Sequence, residues 1–496
     1  MKILKKISEK FQANNIQFNT DKKELFSSVA FLFVIYFIAM ISIIRANFFY
    51  IDDLRRSVDG YELGGVFSRH ISNLLGYFIH AGDYIKDISP LPQLVACLFL
   101  SLAGYTLVKI MCDKPNKLLL IASLPIGLSP YFSECLTYKF DAPYMALSIL
   151  ASVFPFLFMK KNRWLFSVIC VISTLVMTMT YQAASGIFIM ITLYVFFTNL
   201  NYKKTTIKND FLFLGIAFIS YCIAIIMFRL FFMQPVDFGY VSTSVAAIGN
   251  SMTVFLKNLQ SYVVILYDDF NIKWKILSAS IILLFYIKSI LLSKKNKFLS
   301  FFLTTFFLAF FFISIFGLYL LLEVSYFGAR AMYGFGIFIA ILSIDICYSL
   351  KKIFAVPVIA LIWCFFVFCF SYGNALADQK RYNDFRTELL LKDLSVLLPE
   401  KAETTYSIKL INSIRFSPMV RHTAKDNPMI WKLVPVGLRG GWPFGYMYLT
   451  QYYHFQLLRD DDIIDEDMPV VLDTYYHTIK IKDNNIAVIL KTHNPY

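Results

Sequence analysis

The stretch YIDDLRR at residues 50–56 sets two adjacent carboxylates, Asp52 and Asp53, just ahead of two guanidinium groups, Arg55 and Arg56. Adjacent carboxylates repel, which is costly unless a cation is bound or supplied nearby. A carboxylate kept ionised accepts a proton from a hydroxyl. Guanidinium groups hold phosphate through forked, charge-assisted hydrogen bonds. A solvated helix cap with an internal salt bridge produces the same short pattern. Asp59-Gly60-Tyr61-Glu62 and Arg69-His70 follow, then ISNLLGYFIH at 71–80, whose apolar residues recur at helical spacing. That spacing predicts an amphipathic helix along a membrane surface, its charged start fitting the headgroup of a lipid-borne substrate.

Three other connections carry polar groups. SPYFSECLTYKFDAPY (129–144) holds Glu134, Lys139 and Asp141 among aromatic residues able to stack on sugar rings. TYQAAS (180–185) contributes Tyr181 and Gln182, which suit hydrogen bonds to a ligand or the capping of two helices. EVSYFGARAMYGFG (323–336) has a single base, Arg330. An arginine facing a membrane cavity is a phosphate ligand by default, with snorkelling to the interface as the alternative. Lys109, Arg229, Lys288 and Asp345 lie near the ends of apolar runs, where snorkelling keeps charge wet. No ionisable residue sits mid-run, against an ion-coupled pump.

The elements that must position these groups are membrane helices. Of 496 residues, 58% are hydrophobic and 16% charged, which excludes an ordinary soluble enzyme. Apolar runs at 25–44, 91–111, 118–132, 144–159, 164–180, 186–200, 211–233, 276–292, 298–322, 333–350 and 353–372 make about eleven spans. The runs at 118–132 and 186–200 are short, as tilted, re-entrant or broken spans would be. With the N-terminus (1–24) in the cytoplasm, the cytoplasmic pieces hold 19 Lys+Arg in 51 residues, against 10 in 118 on the other side. That asymmetry fixes the orientation, and an odd count sends 374–496 outside. The cytoplasmic pieces alone account for the net charge of +14, so it signals topology and no nucleic-acid partner. The eight cysteines read as buried apolar residues.

The expected fold is thus an all-α polytopic membrane domain, 25–373, whose first outer loop is 45–90, followed by a small α/β domain, 374–496. In the latter, an amphipathic helix from Asp378 to Leu398 presents Phe385, Leu389, Leu390 and Leu397 on one side. TTYSIKLI, MPVVLDTYY and KIKDNNIAVILK read as strands, the last with a hairpin turn at Asp-Asn-Asn. The aromatic stretch from Trp442 to Phe455 suits either docking to the bilayer interface or core packing.

Taken together, YIDDLRR, YKFDAPY, TYQAAS and GARAMYGFG, in this order and on one side, resemble the bacteriophage-encoded, serotype-converting O-antigen glucosyltransferases (Gtr family). These are membrane glycosyltransferases of the GT-C class, and the resemblance spans most of 25–372. It implies a bacterial inner-membrane enzyme that takes glucose from undecaprenyl phosphate-glucose and delivers it, in the periplasm, to a sugar hydroxyl of lipid-linked O-antigen. Carried over, it makes Asp52 or Asp53 the base and Arg55, Arg56, Arg69, Lys139 and Arg330 ligands of the donor phosphate. Glu62, His70, Glu134, Asp141, Tyr181 and Gln182 are then substrate-binding candidates. Some relatives in the class use a divalent metal. Asp52 and Asp53 offer two ligands and no third is evident, so neither metal nor cofactor is expected. Competing expectations are a GT-C transferase of another sugar to lipid A or another glycan, an O-antigen polymerase, and a flippase or transporter. The last is disfavoured by the lack of midplane charge and of any half-chain repeat.

Overall fold

Asparagine starts several of the helices. Asn116, Asn162, Asn271 and Asn296 each accept a hydrogen bond from a backbone N–H of the turn that follows, so donors the helix leaves unpaired are met locally. The computed structural model describes residues 22–61, 66–202, 206–239, 241–398, 405–451, 456–460, 462 and 467–492. Its helices are α1 (Lys22–Ala46), α2 (Asp53–Asp59), α3 (His70–His80), α4 (Leu91–Met111), α5 (Lys117–Ala122), α6 (Pro125–Leu128), α7 (Pro130–Thr137) and α8 (Ala142–Val153). Then come α9 (Arg163–Thr178), α10 (Ser185–Tyr202), α11 (Ile207–Phe231), α12 (Ser251–Asp269), α13 (Ile272–Leu291), α14 (Lys297–Ile313), α15 (Gly334–Ser349) and α16 (Val356–Leu397).

The protein is a mostly helical, multi-pass membrane protein. Among the described residues, seven helices are long and apolar enough to cross a bilayer: α1, α4, α10, α11, α13, α14 and α16, some with short extensions. The 186–200 run belongs to one of them, a full-length segment Gln182–Tyr202. Three apolar helices are shorter, Ala142–Phe158, Arg163–Thr178 and Gly334–Ser349. The remaining run, 118–132, is broken: Lys117–Leu128 and Pro130–Thr137 meet at 61°. Pro125 and Pro130 each occupy a first helical turn, where the missing N–H is tolerated, and neither can continue the preceding helix. The break folds 129–140 back into the bundle, and every residue of it is buried. The open aromatic loop read from the sequence is therefore a packed helix, α7.

The connection expected at 234–275 also contains a helix, α12. Lys257, Asn258, Gln260 and Ser261 depress its hydropathy, yet Asn258 Nδ2 donates to the carbonyls of Leu320 and Leu322 at 3.1 and 2.9 Å. Leu256, Val263, Val264 and Tyr267 face outward from it. Elsewhere the bundle closes through small residues. A Cβ on Gly186 would stand 1.8 Å from the Ser314 carbonyl oxygen, so only glycine admits the 3-10 segment Ser314–Leu321 against α10.

α16 runs unbroken for 42 residues, packing first along α1 and then beneath a five-stranded sheet. The strands are β1 (Thr405–Ile411), β2 (Gln456–Arg459), β3 (Val470–Asp473), β4 (His477–Lys482) and β5 (Asn485–Leu490). Their order is β2-β1-β5-β4-β3, with β1 parallel to both neighbours and the rest antiparallel. The expected β4–β5 hairpin is present; Asp483 takes its left-handed φ of 53°. Ile408, Leu410, Ile479, Ile486 and Val488 pack on Leu390 and Leu394 of α16 and on Leu398 just after it. This corrects the expected stripe: Phe385 is exposed, while Gln379, Asn383 and Arg386 are buried. Two short helices, α17 (Pro418–Ala424) and α18 (Pro428–Leu433), leave the sheet and join the core of the bundle. In the aromatic stretch, Tyr446 and Leu449 (of α19, Met447–Thr450) are core, and Tyr446 Oη accepts from the Leu410 N–H at 3.0 Å. Tyr452 to Phe455 lie outside the described residues.

All eight cysteines are free thiols. Arg229 is exposed, and Lys109 pairs with Glu24 at 2.9 Å. Lys288 and Asp345 do not snorkel: both are buried and form an ion pair, with Tyr194 Oη donating to Asp345 at 2.9 Å. Removing one partner of such a pair strands a buried charge, at a cost of about 3–5 kcal/mol. Lys288→Met is expected to lower the unfolding midpoint in detergent steeply, and adding Asp345→Asn should restore much of the loss.

Candidate functional site

The loop after α1 is pinned by Asp53. Fully buried, its Oδ2 accepts from the Tyr50 and Lys139 backbone N–H groups at 3.2 and 3.0 Å, which ties the start of α2 to the segment after α7. Its Oδ1 has no hydrogen-bond partner. Asp52 precedes α2 and its side chain keeps 11% exposure. One turn along, the buried Arg56 reaches back between two carboxylates, with Nη1 2.9 Å from Asp141 Oδ1 and 4.0 Å from Asp52 Oδ2. Its guanidinium lies over the Phe140 ring, which His80 backs by stacking. The internal salt bridge expected of YIDDLRR is present, but it is buried rather than solvated, and Asp52 makes no side-chain hydrogen bond as a helix cap.

Tyr50 joins this cluster to a second. Its Oη is 3.4 Å from Glu134 Oε1 and donates to the Leu433 carbonyl of α18 at 2.9 Å. Glu134 Oε2 accepts from the Arg330 backbone N–H. The Arg330 side chain donates to the Tyr138 hydroxyl and stands over the rings of Tyr138 and Tyr326. Its charge also acts on Asp52. Tyr181, within electrostatic range of Tyr326, stacks on Tyr333 and carries Arg69 over its ring at 4.4 Å. Gln182 Nε2 donates to the Phe67 carbonyl, and His70 Nε2 contacts the Phe232 carbonyl at 2.9 Å. These two hold the backbone around Arg69.

The five candidate phosphate ligands separate by charge. Arg55 is exposed and paired with Asp59 at 3.1 Å; Lys139 is paired with Asp87 at 2.7 Å; Arg56 is shared by Asp52 and Asp141. Among the described residues, neither Arg69 nor Arg330 has a carboxylate within ion-pair distance. Both rest on tyrosine faces, where cation–π attraction holds a guanidinium without neutralising it. Glu62 lies outside the described residues. No three His, Cys, Asp or Glu side chains group to hold a metal among those described.

A family comparison covers most of this arrangement. The sequence model of the glucosyl transferase GtrII family matches residues 41–341, from before Asp52 to beyond Arg330. The chain belongs to the GtrII family. A protein from the gtrB 5′ region of Salmonella phage P22, described as an uncharacterized 55.3 kDa protein, is 26% identical over 194 residues, 39% of each chain. No solved structure matches.

This GtrII-family chain also brings in residues that sequence reasoning passed over. A cavity of about 720 Å³ lies between the bundle and the C-terminal segment, with Tyr50, Ile51 and Glu134 on one wall and Arg415, Arg421, Lys432 and Arg439 on the other. A signal was there: the neutral tail hides seven Lys+Arg and one acid between 405 and 459, offset by six acids in DDDIIDED.

Burial, followed by the charge of Asp141, raises the Asp52 pKa; burial, followed by the charge of Asp52, raises that of Asp53 well above the ordinary range. Carboxyls whose folded pKa is raised bind protons more tightly when folded, so their ionisation costs stability as pH rises from about 4. Asp52→Asn removes one charge of the pair. It should raise the unfolding midpoint at pH 7, and the gain should fade as pH falls towards 4. A gain that does not change with pH would exclude charge repulsion as its cause.

Proposed function

We propose that the protein transfers glucose from undecaprenyl phosphate-glucose to a sugar hydroxyl of lipid-linked O-antigen, with Asp52 as general base. The observation that carries this reading is a partly exposed carboxylate, Asp52, within the electrostatic reach of Arg330, whose side chain stands on tyrosine faces with no carboxylate at ion-pair distance among the described residues. Asp52 retains exposure and the backbone amide that acts on its carboxylate is its own, whereas Asp53 is sealed in by the amides of Tyr50 and Lys139 and positions the loop. Among the described residues neither the Arg69 nor the Arg330 side chain has a carboxylate within ion-pair distance, so both suit a phosphate anion. Their surroundings are tyrosine faces, which favour a sugar ring by dispersion.

The reaction is one displacement. Asp52 takes the acceptor's hydroxyl proton as its oxygen forms a bond to the glucosyl anomeric carbon. The bond from that carbon to the phosphate oxygen breaks on the opposite side, and the electron pair leaves with polyprenyl phosphate. Arg69 and Arg330 stabilise the charge that develops there, so the leaving group needs no proton. Attack from the face opposite the leaving group inverts the anomeric configuration. A raised carboxyl pKa makes Asp52 a stronger base than a solvated aspartate. Arg56 fills the place between Asp52 and Asp141 that a divalent cation would take, which supports a metal-independent reaction. Glu134, on the cavity wall, orients the acceptor.

In this reading the seven long apolar helices, the bent pair and the three shorter ones make eleven crossings of the bacterial inner membrane, and the Lys/Arg asymmetry supports a cytoplasmic N-terminus, a periplasmic site and a C-terminal sheet outside. The outward-facing Leu74, Tyr77 and Phe78 of α3 then meet the bilayer at the level of the lipid-borne donor.

The test is glucose transfer from polyprenyl phosphate-glucose to lipid-linked O-antigen in membranes. Asp52→Asn should lower kcat about 10²–10⁴-fold, as loss of a general base does, while Glu134→Gln mainly raises the acceptor KM. Full activity in a folded Asp52→Asn protein would remove Asp52 from the chemistry. If Glu134→Gln alone abolished kcat, the base would be Glu134.

A further inference from the structure

The cavity between the bundle and the C-terminal segment is not consumed by the mechanism. At about 720 Å³ it falls among ligand-sized pockets. The transfer chemistry uses only its floor, at Glu134 and Tyr50. Its other wall is built from residues that lie beyond the family match and have no part in moving the glucosyl group.

That wall has a definite chemistry. Ser413 and Arg439 form an antiparallel bridge, and the Ile414 N–H donates to the Leu438 carbonyl at 3.1 Å. Arg439, opposite Ser413, and Arg415, two residues further along the facing segment, both line the cavity. Arg415 is held at φ 56°, a left-handed conformation rare for a residue with a long side chain. Its carbonyl accepts from Gln379 Nε2 of α16 at 3.3 Å, so the strained position is braced from behind. Among the described residues neither arginine has a carboxylate within ion-pair distance. Arg439 stands 4.7 Å over the Trp442 ring, and burial lowers its pKa from the ordinary value. Lys432, by contrast, is paired with Asp269 at 2.9 Å, a link that holds α18 to the bundle. Trp431 meets Phe416 edge-on at 4.9 Å, and both rings face the same space.

Flat aromatic faces beside two uncompensated guanidinium groups recognise a sugar that carries an anion. We propose that this cleft binds the acceptor glycan, with sugar rings against Trp431 and Trp442 and an anionic group held between Arg415 and Arg439. The anion is a phosphate-type or carboxylate group of the glycan, supplied by the diphosphate of its lipid link or by an acidic sugar. The glycan then extends to the floor of the cleft, where Glu134 meets the hydroxyl to be glycosylated. The proposal rests on the transferase reading given above and adds to it where the acceptor is recognised.

The test is binding, read without catalysis. The full chain in nanodiscs is titrated with a short-chain prenyl diphosphate-linked disaccharide, the same disaccharide without diphosphate, and a disaccharide bearing a hexuronate. Trp431 and Trp442 report by fluorescence, and Trp431→Phe with Trp442→Phe should remove the signal. At least one charged probe is expected to bind about tenfold or more tighter than the neutral one. Arg415→Ala with Arg439→Ala should abolish that preference and raise the acceptor KM while leaving the donor KM unchanged. Arg415→Lys with Arg439→Lys keeps the charge, and should retain the preference if the alanine pair merely unfolds. Preference for the diphosphate probe assigns the anion to the lipid link, and preference for the hexuronate probe to the glycan. Equal affinity for charged and neutral probes, or an acceptor KM unmoved by the alanine pair, overturns the proposal while leaving glucose transfer intact. Absence of transfer by the wild type, with the charged-probe preference present, would instead overturn the transferase reading and leave a glycan-binding cleft.

Discussion

Everything at the site depends on how buried carboxylates are compensated beside an apolar bundle. Asp52, Asp53, Asp141 and Glu134 lie within one corner of the fold, where ionised groups are expensive unless paired and hydrogen-bonded. Arg56 answers most of that demand, lying 2.9 Å from Asp141 and within reach of Asp52. Asp53 is met differently, by two backbone amides, and Glu134 by the Arg330 amide and the Tyr50 hydroxyl. Because these acceptors bind backbone from the segments before α2, after α7 and before α15, the same bonds that satisfy the charges also set the loops in place.

The cations of this corner fall into those paired with carboxylates and those held on aromatic faces. Arg55, Arg56 and Lys139 are spent on Asp59, on Asp52 with Asp141, and on Asp87. Arg69 and Arg330 are held by tyrosine faces, which position a guanidinium while leaving its charge available. The C-terminal segment repeats the device, with Arg439 on Trp442. α16 makes the two halves one assembly, since the helix that packs on α1 also carries the sheet, and α17 and α18 return to the bundle.

Much of this was legible in the sequence and some was not, for identifiable reasons. The apolar runs were all helical because continuous hydropathy of that length leaves few alternatives in a membrane. α12 was missed because Lys257, Asn258 and Gln260 interrupt its hydropathy, though Asn258 is there to bind carbonyls. The short run 118–132 is broken, one of the forms its length suggests, but the sequence does not show that Pro125 and Pro130 fold the connection carrying Glu134 back inside. The family resemblance carried by YIDDLRR, YKFDAPY, TYQAAS and GARAMYGFG was upheld by the family match. Which charges pair was not legible, since Lys139 with Asp87 and Arg56 with Asp141 are contacts between loops distant in the chain. The cationic wall of the cleft was hidden by balancing the whole tail, when only its distribution along the chain reveals it.

The central claim is that the donor phosphate sits on Arg69 and Arg330 rather than on the arginines of YIDDLRR. It is tested most directly by following the phosphorus resonance of a short-chain prenyl phosphate-glucose as the purified protein is added. The account predicts that Arg69→Ala with Arg330→Ala abolishes the bound resonance while Arg55→Ala leaves it in place. Retention of the bound resonance in the double variant, or its loss in Arg55→Ala, would contradict it.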